Sequence, residues 1–267
     1  MWRAAKHGIS ALSHAAYKFA EKESARKMAF NAIRLKRVEA ERFMAMDECR
    51  FLAYCFLNRH ESRSQILQDL WVSYELNERR DGFFVEFGAT NGVTNSNSWL
   101  LENKYNWKGI LAEPNPVWHP ELARNRGVSI DHRCVSSSSG NVVSFLTTDG
   151  SDPELSSIAA FSDGDHFANV RADGVEIKVE TVSLDQLLAE HRAPERIDYL
   201  SVDTEGNEYD ILSHFDFSRH AIDLISVEQN RKTEPRIEAL LTGRGYNRVF
   251  KEFSQWDGWY VRADRRR

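Results

Sequence analysis

Three places in the chain put carboxylates where they could do chemistry. In Phe83-Phe84-Val85-Glu86-Phe87-Gly88-Ala89-Thr90-Asn91-Gly92, an apolar run leads into a glycine, with a second glycine four positions on. A glycine turn after a buried strand lets the backbone reverse tightly and lets a ligand approach where a Cβ would stand in the way. In Gly109-Ile110-Leu111-Ala112-Glu113-Pro114, an acid closes the next strand. An acid about 20 residues past such a turn is placed to accept both hydroxyls of a ribose; the alternative is an ordinary acid at a helix start. In Asp203-Thr204-Glu205-Gly206, two acids follow a buried strand. Two close acids repel, which raises the pKa of one of them, or they share a divalent cation. Either makes them candidates for general-base work.

The spacing Gly88-x-x-x-Gly92 is neither the dinucleotide fingerprint GxGxxG nor a P-loop, which ends in Gly-Lys-Ser/Thr. An NAD-dependent oxidoreductase is disfavoured on that ground. Gly88, Asn91, Gly92 and Glu113 are therefore assigned to a nucleoside-containing ligand. Glu86, set in an apolar strand where an unpaired carboxylate is costly, is expected to face an amino group of that ligand. Its alternative is a buried acid satisfied by backbone N–H groups or by Asn91. A ligand that joins a ribose to a cationic amino-acid end is S-adenosylmethionine. Asp131, ending the third strand, and Ser136 just after it are candidate adenine contacts. Asp203 and Glu205 are the candidate catalytic bases; Asp203 could instead orient the ligand's amino group, and either acid could cap the following helix. Glu228, ending the next strand, is a second-rank candidate for the same crevice. His132 and His214 could act as bases in principle, though lone histidines are more often structural or surface residues. Gln65, Gln68 and Asp69 could cover the ligand, or the Ser64–Asp69 block could be a capped helix start.

The elements that must position these residues read clearly from Asp81 onward. Apolar runs predict strands over 83–87, 109–112, 128–132, 142–146, 175–182, 197–202, 224–228, 247–251 and 257–262. Helical spacing is found over 65–77, 95–104, 116–126, 184–192, 207–214 and 234–243. Strand and helix alternating at this pitch predict a mostly parallel, doubly wound α/β sheet. The last two strands, joined only by the short Ser254-Gln255 link, predict an antiparallel hairpin at the sheet edge. Residues 148–174 predict a long functional surface loop. Residues 1–60 differ: one glycine, no proline, and apolar positions such as Leu12, Ala16, Phe19, Phe30 and Ile33 set against basic ones. They predict a basic helical extension, separate from a domain over 61–267. That extension would pack on the domain or on a second subunit, or touch an anionic membrane surface; Glu21, Glu23, Glu39 and Glu41 dilute its basic face.

A net charge of -5 argues against a general nucleic-acid binder. No apolar run is long enough to cross a bilayer, and the N-terminus lacks the features of a secretion signal. Cys49, Cys55 and Cys134 show no CxxC spacing, so reduced buried thiols and a cytoplasmic setting are expected.

Several blocks in order resemble the FkbM-type methyltransferases. They are Ser64-Gln65-x-x-Gln68-Asp69-Leu70-Trp71, Phe83 to Gly92, Ser96-Asn97, Leu101-Glu102, and Trp107-Lys108-Gly109-Ile110-Leu111-Ala112-Glu113-Pro114. Cys134-Val135-Ser136 with Gly140, Ile197 to Glu208, and Ile225-Ser226-Val227-Glu228 follow. The resemblance covers about residues 62–262. It implies a Rossmann-like class I methyltransferase fold: a seven-stranded, mostly parallel sheet with an antiparallel terminal hairpin. It also implies an S-adenosylmethionine-dependent O-methyltransferase whose acceptor is a small molecule or glycan: a sugar, glycoconjugate or natural-product hydroxyl. Thr90 and Asn91 stand where many class I enzymes carry another glycine, and Asn tolerates left-handed backbone angles. The competing hypothesis is a non-catalytic module of the same fold, tethered by its N-terminal helices to a membrane or partner.

Overall fold

The computed structural model describes residues 23, 27, 30, 34, 37–147, 157–158, 175–204 and 206–265. Two compact units divide between Ala53 and Tyr54. In the first lie α1 (Arg37–Ala45) and the start of α2 (Asp47–Asn58). Arg50 donates to the carbonyls of Met44 and Ala45, each at 3.2 Å, and so satisfies acceptors that the end of α1 leaves open.

The second unit is built on a seven-stranded sheet of β1 (Phe83–Phe87), β2 (Lys108–Ala112), β3 (Ser129–Asp131), β8 (Arg196–Val202), β9 (Ala221–Glu228), β10 (Tyr246–Val249) and β11 (Asp257–Arg262). Its order is β10-β11-β9-β8-β1-β2-β3, parallel except where β11 runs against both β9 and β10. The doubly wound sheet with a closing antiparallel hairpin is therefore present. β8 is buried from Ile197 to Val202 and β9 from Ile222 to Val227. Continuous burial of both faces is what a central parallel strand requires, and it explains the unbroken apolar runs.

Helices α3 (Gln68–Glu75), α4 (Trp99–Tyr105), α5 (His119–Asn125), α6 (Leu184–Glu190), α7 (Glu208–His214) and α8 (Glu234–Gly243) complete the unit. Local signals start and stop them. The Ser183 side chain accepts from Gln186 N at 3.2 Å to cap α6, and Asn106 closes α4 at φ 60°. Trp71 of α3 stacks on Trp259 of β11, centroids 5.1 Å apart, which ties the segment before β1 to the last strand.

A second sheet departs from expectation. β4 (Cys134–Ser136), β5 (Val142–Thr147), β6 (Ser157–Ile158) and β7 (Val175–Ser183) pair in the order β4-β7-β5-β6. The runs at 142–146 and 175–182 thus lie outside the main sheet. The reason is in their pattern: in β7, Val179 and Thr181 are buried while Glu176, Lys178 and Glu180 are exposed. Alternation of this kind suits a sheet with one wet face. Their inner side packs Phe145 and Val179 with Cys134. The predicted loop over 148–174 lies outside the described residues apart from β6.

Candidate active site

The site is assembled at the C-terminal edge of the main sheet, where the crevice of an open α/β sheet forms. Gly88 follows β1 at φ 69° and is exposed. A Cβ there would collide with the backbone carbonyl oxygen of Asp203, the first residue after β8. The glycine turn and the acid after β8 therefore meet in backbone contact. Gly92, at φ 78°, is buried on α5, where a Cβ would lie 2.6 Å from Arg126 Cγ and 2.7 Å from Leu122 Cδ1.

Between the two glycines the left-handed residue is Thr90 (φ 47°), not Asn91. Asn91 stabilises the turn by side-chain bonding instead: its Oδ1 accepts from Val93 N at 3.0 Å and Thr94 N at 2.9 Å. Thr90 holds its angle while its N–H donates to Glu113 Oε2 at 2.8 Å. Asn115 N donates to Glu113 Oε1, also at 2.8 Å. Glu113 is thus joined directly to the glycine turn, and each carboxylate oxygen keeps lone-pair capacity for a further donor. Burial pushes its carboxyl up to about 7 against the pull of these two N–H groups.

Glu86 is placed differently from the expectation that it faces an amino group of a ligand. Its carboxylate is buried and accepts from Asn97 N at 2.7 Å, from the Ser96 hydroxyl at 3.2 and 3.3 Å, and from the Ser98 hydroxyl. Arg126 lies 3.7 Å away. The internally satisfied alternative describes this arrangement, with Ser96–Ser98 rather than Asn91 as the donors. Arg126 is the hub that sequence reading missed. Wholly buried, it also donates to Gly92 O at 3.1 Å and Glu102 Oε2 at 2.5 Å. A lone arginine in Arg124-Asn125-Arg126-Gly127 carries no signal of that role.

Asp131, at the end of β3, is likewise engaged. Arg133 donates to it from its backbone N, Nε and Nη2, and His191 Nε2 is 2.9 Å away. Burial would raise its carboxyl, yet these bonds outweigh burial and hold it down at about 2. Ser136 lies in β4 of the second sheet, paired with Ser183 of β7. Its neighbour Val135 accepts from Asn207 Nδ2 at 3.1 Å, so β4 abuts the turn after β8.

Across the crevice, acids stand beside acids. Asp203 is hydrogen-bonded to Glu228, which ends the adjacent strand β9. Burial, then the charge of Glu208, raises Asp203 to about 7 against that bond. In the antiparallel register Glu228 lies opposite Asp257, the first residue of β11. Burial and the charge of Asp203 raise Asp257 to about 7 too. Its oxygen Oδ2 accepts from Gln68 Nε2 at 3.1 Å. Asp257 was not legible as a site residue, because its place depends on which strand lies beside β9. Glu208 reaches back to accept from Gly206 N at 2.9 Å and Thr204 N at 3.1 Å, closing the turn.

Glu205 falls outside the described residues. Among the described residues no three His, Cys, Asp or Glu side chains are grouped to hold a metal ion. The Ser64–Asp69 block is a helix start: Asp69 accepts from the Ser62 hydroxyl at 2.6 Å, the Ser64 hydroxyl at 2.7 Å and Arg63 N at 2.9 Å, while Gln65 is exposed. His214 is exposed and bonds within its own helix, and His132 lies tilted against His119 beside Glu113 with ring centroids 3.7 Å apart.

This strand order, with a glycine turn after the first strand and an acid after the second, defines a class I methyltransferase-type domain. A family model described as the Methyltransferase FkbM domain matches residues 86–248, and the chain belongs to that family. It is a methyltransferase. The chain is 30% identical to methyltransferase sdnD of Sordaria araneosa over 204 residues, covering 65% of this chain and 76% of that protein. Among solved structures, precorrin-6y C5,15-methyltransferase from Geobacter metallireducens GS-15 aligns with 72% of this chain and 85% of its own, at 12% identity and a TM-score of 0.37.

Proposed function

We propose that the protein is an S-adenosylmethionine-dependent O-methyltransferase acting on a hydroxyl of a sugar, glycoconjugate or natural product. One observation carries the reading: Gly88 leaves room for no side chain against Asp203, so the turn suited to the methyl donor and the acid suited to the acceptor are adjacent. The residues present fit the donor. Glu113 offers two carboxylate oxygens toward a ribose, and Gly88 leaves the backbone open for close approach. S-adenosylmethionine supplies, when bound, a methyl group on a sulfonium sulfur that is open to in-line displacement.

The chain's own part is alignment and proton handling. Asp203, poised at about 7, is ionised in a useful fraction at neutral pH. It would take the proton of the acceptor hydroxyl, leaving the oxygen free to receive the methyl group that the bound donor would supply. The bond from Glu228 stabilises the ionised form of Asp203, which keeps it able to take that proton. The free thiols of Cys49, Cys55 and Cys134 fit a reducing, cytoplasmic setting for this work.

Calorimetry with S-adenosylhomocysteine tests the cofactor, and binding in the micromolar range is expected; no heat at high micromolar ligand would defeat the reading. Transfer of labelled methyl from S-adenosylmethionine to cell-envelope glycan fractions tests the acceptor. Label found on nitrogen or carbon rather than as a methyl ether would replace the hydroxyl by another nucleophile.

A further inference from the structure

The function proposed above uses the Glu113 carboxylate and leaves two histidines beside it unexplained. His119 opens α5 and lies partly buried, and His132 is exposed immediately after β3. The His119 Nε2 is 2.9 Å from the backbone carbonyl oxygen of Glu113. A carbonyl oxygen can only accept, so Nε2 carries the proton and donates. The His132 ring lies against that of His119, with centroids 3.7 Å apart. Burial and the neighbouring His132 lower the pKa of His119 against the pull of the carbonyl. The His119 ring is therefore neutral near pH 7, its one proton committed to Glu113.

That bond completes the fixing of Glu113. Its N–H donates to Asp131 O at 3.0 Å, and its two carboxylate oxygens accept from Thr90 N and Asn115 N, both at 2.8 Å. Its carbonyl is the remaining polar group, and a side chain holds it. Between Glu113 and His119 the chain turns through Pro114 and Pro116, with Trp118 N donating to Asn115 O at 3.1 Å and His119 N to Pro116 O at 3.3 Å. The His119 ring reaches back over this turn and ties its far end to the strand end it left. His132 backs the ring from the β3 side. A carboxylate that must meet both hydroxyls of a ribose needs its direction set to a fraction of an ångström, and supporting hydrogen bonds set it.

We propose that His119, backed by His132, is a positioning residue for the nucleoside end of the methyl donor: by holding the Glu113 carbonyl it aims the carboxylate at the ribose hydroxyls. It acts through Glu113. The inference rests on the use of Glu113 for the ribose proposed above, and it assigns part of the preference for ribose over deoxyribose to His119. Its test needs no methyl acceptor.

The full chain is titrated by calorimetry with S-adenosylhomocysteine and with its 2′-deoxy analogue. The native protein should prefer the ribose ligand. His119→Phe keeps a ring against His132 and cannot donate. It should weaken S-adenosylhomocysteine by about tenfold and leave the 2′-deoxy ligand within about threefold of native, so that the preference narrows. His119→Asn, too short to reach the carbonyl, should do the same, and carries the test if the Phe variant melts early. His119→Gln, whose amide nitrogen can stand where Nε2 stands, should bind S-adenosylhomocysteine within about threefold of native. Native-like binding by the Phe and Asn variants, equal weakening of both ligands, or a Gln variant as weak as the Phe variant would overturn the proposal. Glu113→Gln tells the two failures apart. If it too leaves S-adenosylhomocysteine binding unchanged, the ribose reading falls and this inference with it. If it weakens binding while the His119 variants do not, the positioning role alone falls.

Discussion

At one edge of one sheet, the acids of the β1–β3 half are matched with donors, whereas those of the β8–β9–β11 half face one another. Glu86 has Arg126 and the Ser96–Ser98 segment; Asp131 has Arg133 and His191; Glu113 has two backbone N–H groups. Asp203, Glu228 and Asp257 stand at the ends of neighbouring strands, where Asp203 is hydrogen-bonded to Glu228 and Asp257 accepts from the neutral amide of Gln68. A carboxylate matched with donors is held in one orientation, which suits binding. Carboxyls that face each other cannot all ionise, so they retain protons near neutrality, which suits proton transfer. On the function proposed above, binding falls to the first half and proton handling to the second, with Gly88 between them.

The largest effect is expected at Gly88. Gly88→Ala places a Cβ against the Asp203 carbonyl at a left-handed backbone angle, and should cost about 2–4 kcal/mol of stability and abolish cofactor binding. Thermal melting and calorimetry read both; an unchanged melting temperature would mean the two halves do not meet there. Next, Asp203→Asn should lower kcat by about 10²–10⁴-fold while S-adenosylhomocysteine affinity changes little. A matching loss of affinity would move Asp203 into the binding half. Glu113→Gln should weaken S-adenosylhomocysteine by about 10–100-fold, the worth of hydrogen bonds to a charged group, with a smaller change in kcat at saturation. A kcat loss as large as that of Asp203→Asn would dissolve the division.

A smaller effect comes from pH. Glu113, Asp203 and Asp257 each titrate higher in the folded protein than their ordinary values of 4.5, 3.8 and 3.8, at about 7. Between those limits the folded state binds more protons than the unfolded one, so stability falls as pH rises from about 4 to 7. Asp257→Asn should flatten that slope in denaturant titrations across the range. A slope unchanged by the substitution would show that Asp257 ionises normally. The smallest effect belongs to His214→Ala, within about 0.5 kcal/mol in stability and without change in kcat, since its ring bonds only within its own exposed helix.

Much of the architecture was legible because it follows from local pattern. The runs at 83–87 and 257–262 and the helix at 234–243 match their elements residue for residue. The glycine turn and Glu113 could be paired because a strand, a helix and a second parallel strand leave few arrangements. What escaped was long-range. β5 and β7 joined a separate sheet, although their alternating exposure distinguishes them from the continuously apolar β8. The positive angle fell on Thr90 because Asn91 bonds more favourably as a turn acceptor.

By itself, then, the chain's pattern determined which segments are strands and helices, and that acids stand at the ends of several strands. Those features are written in hydrophobic period and in the position of glycine, which act over a few residues. Tertiary structure decided what each acid touches. Arg126 lies 40 residues from Glu86 in the chain and Asp257 lies 29 from Glu228, and only sheet order and register bring them together. Whether a carboxylate is a binding group or a proton carrier depends on whether its neighbour is a guanidinium or another acid. That neighbour is chosen by the packing of distant strands, not by the residues beside it in sequence.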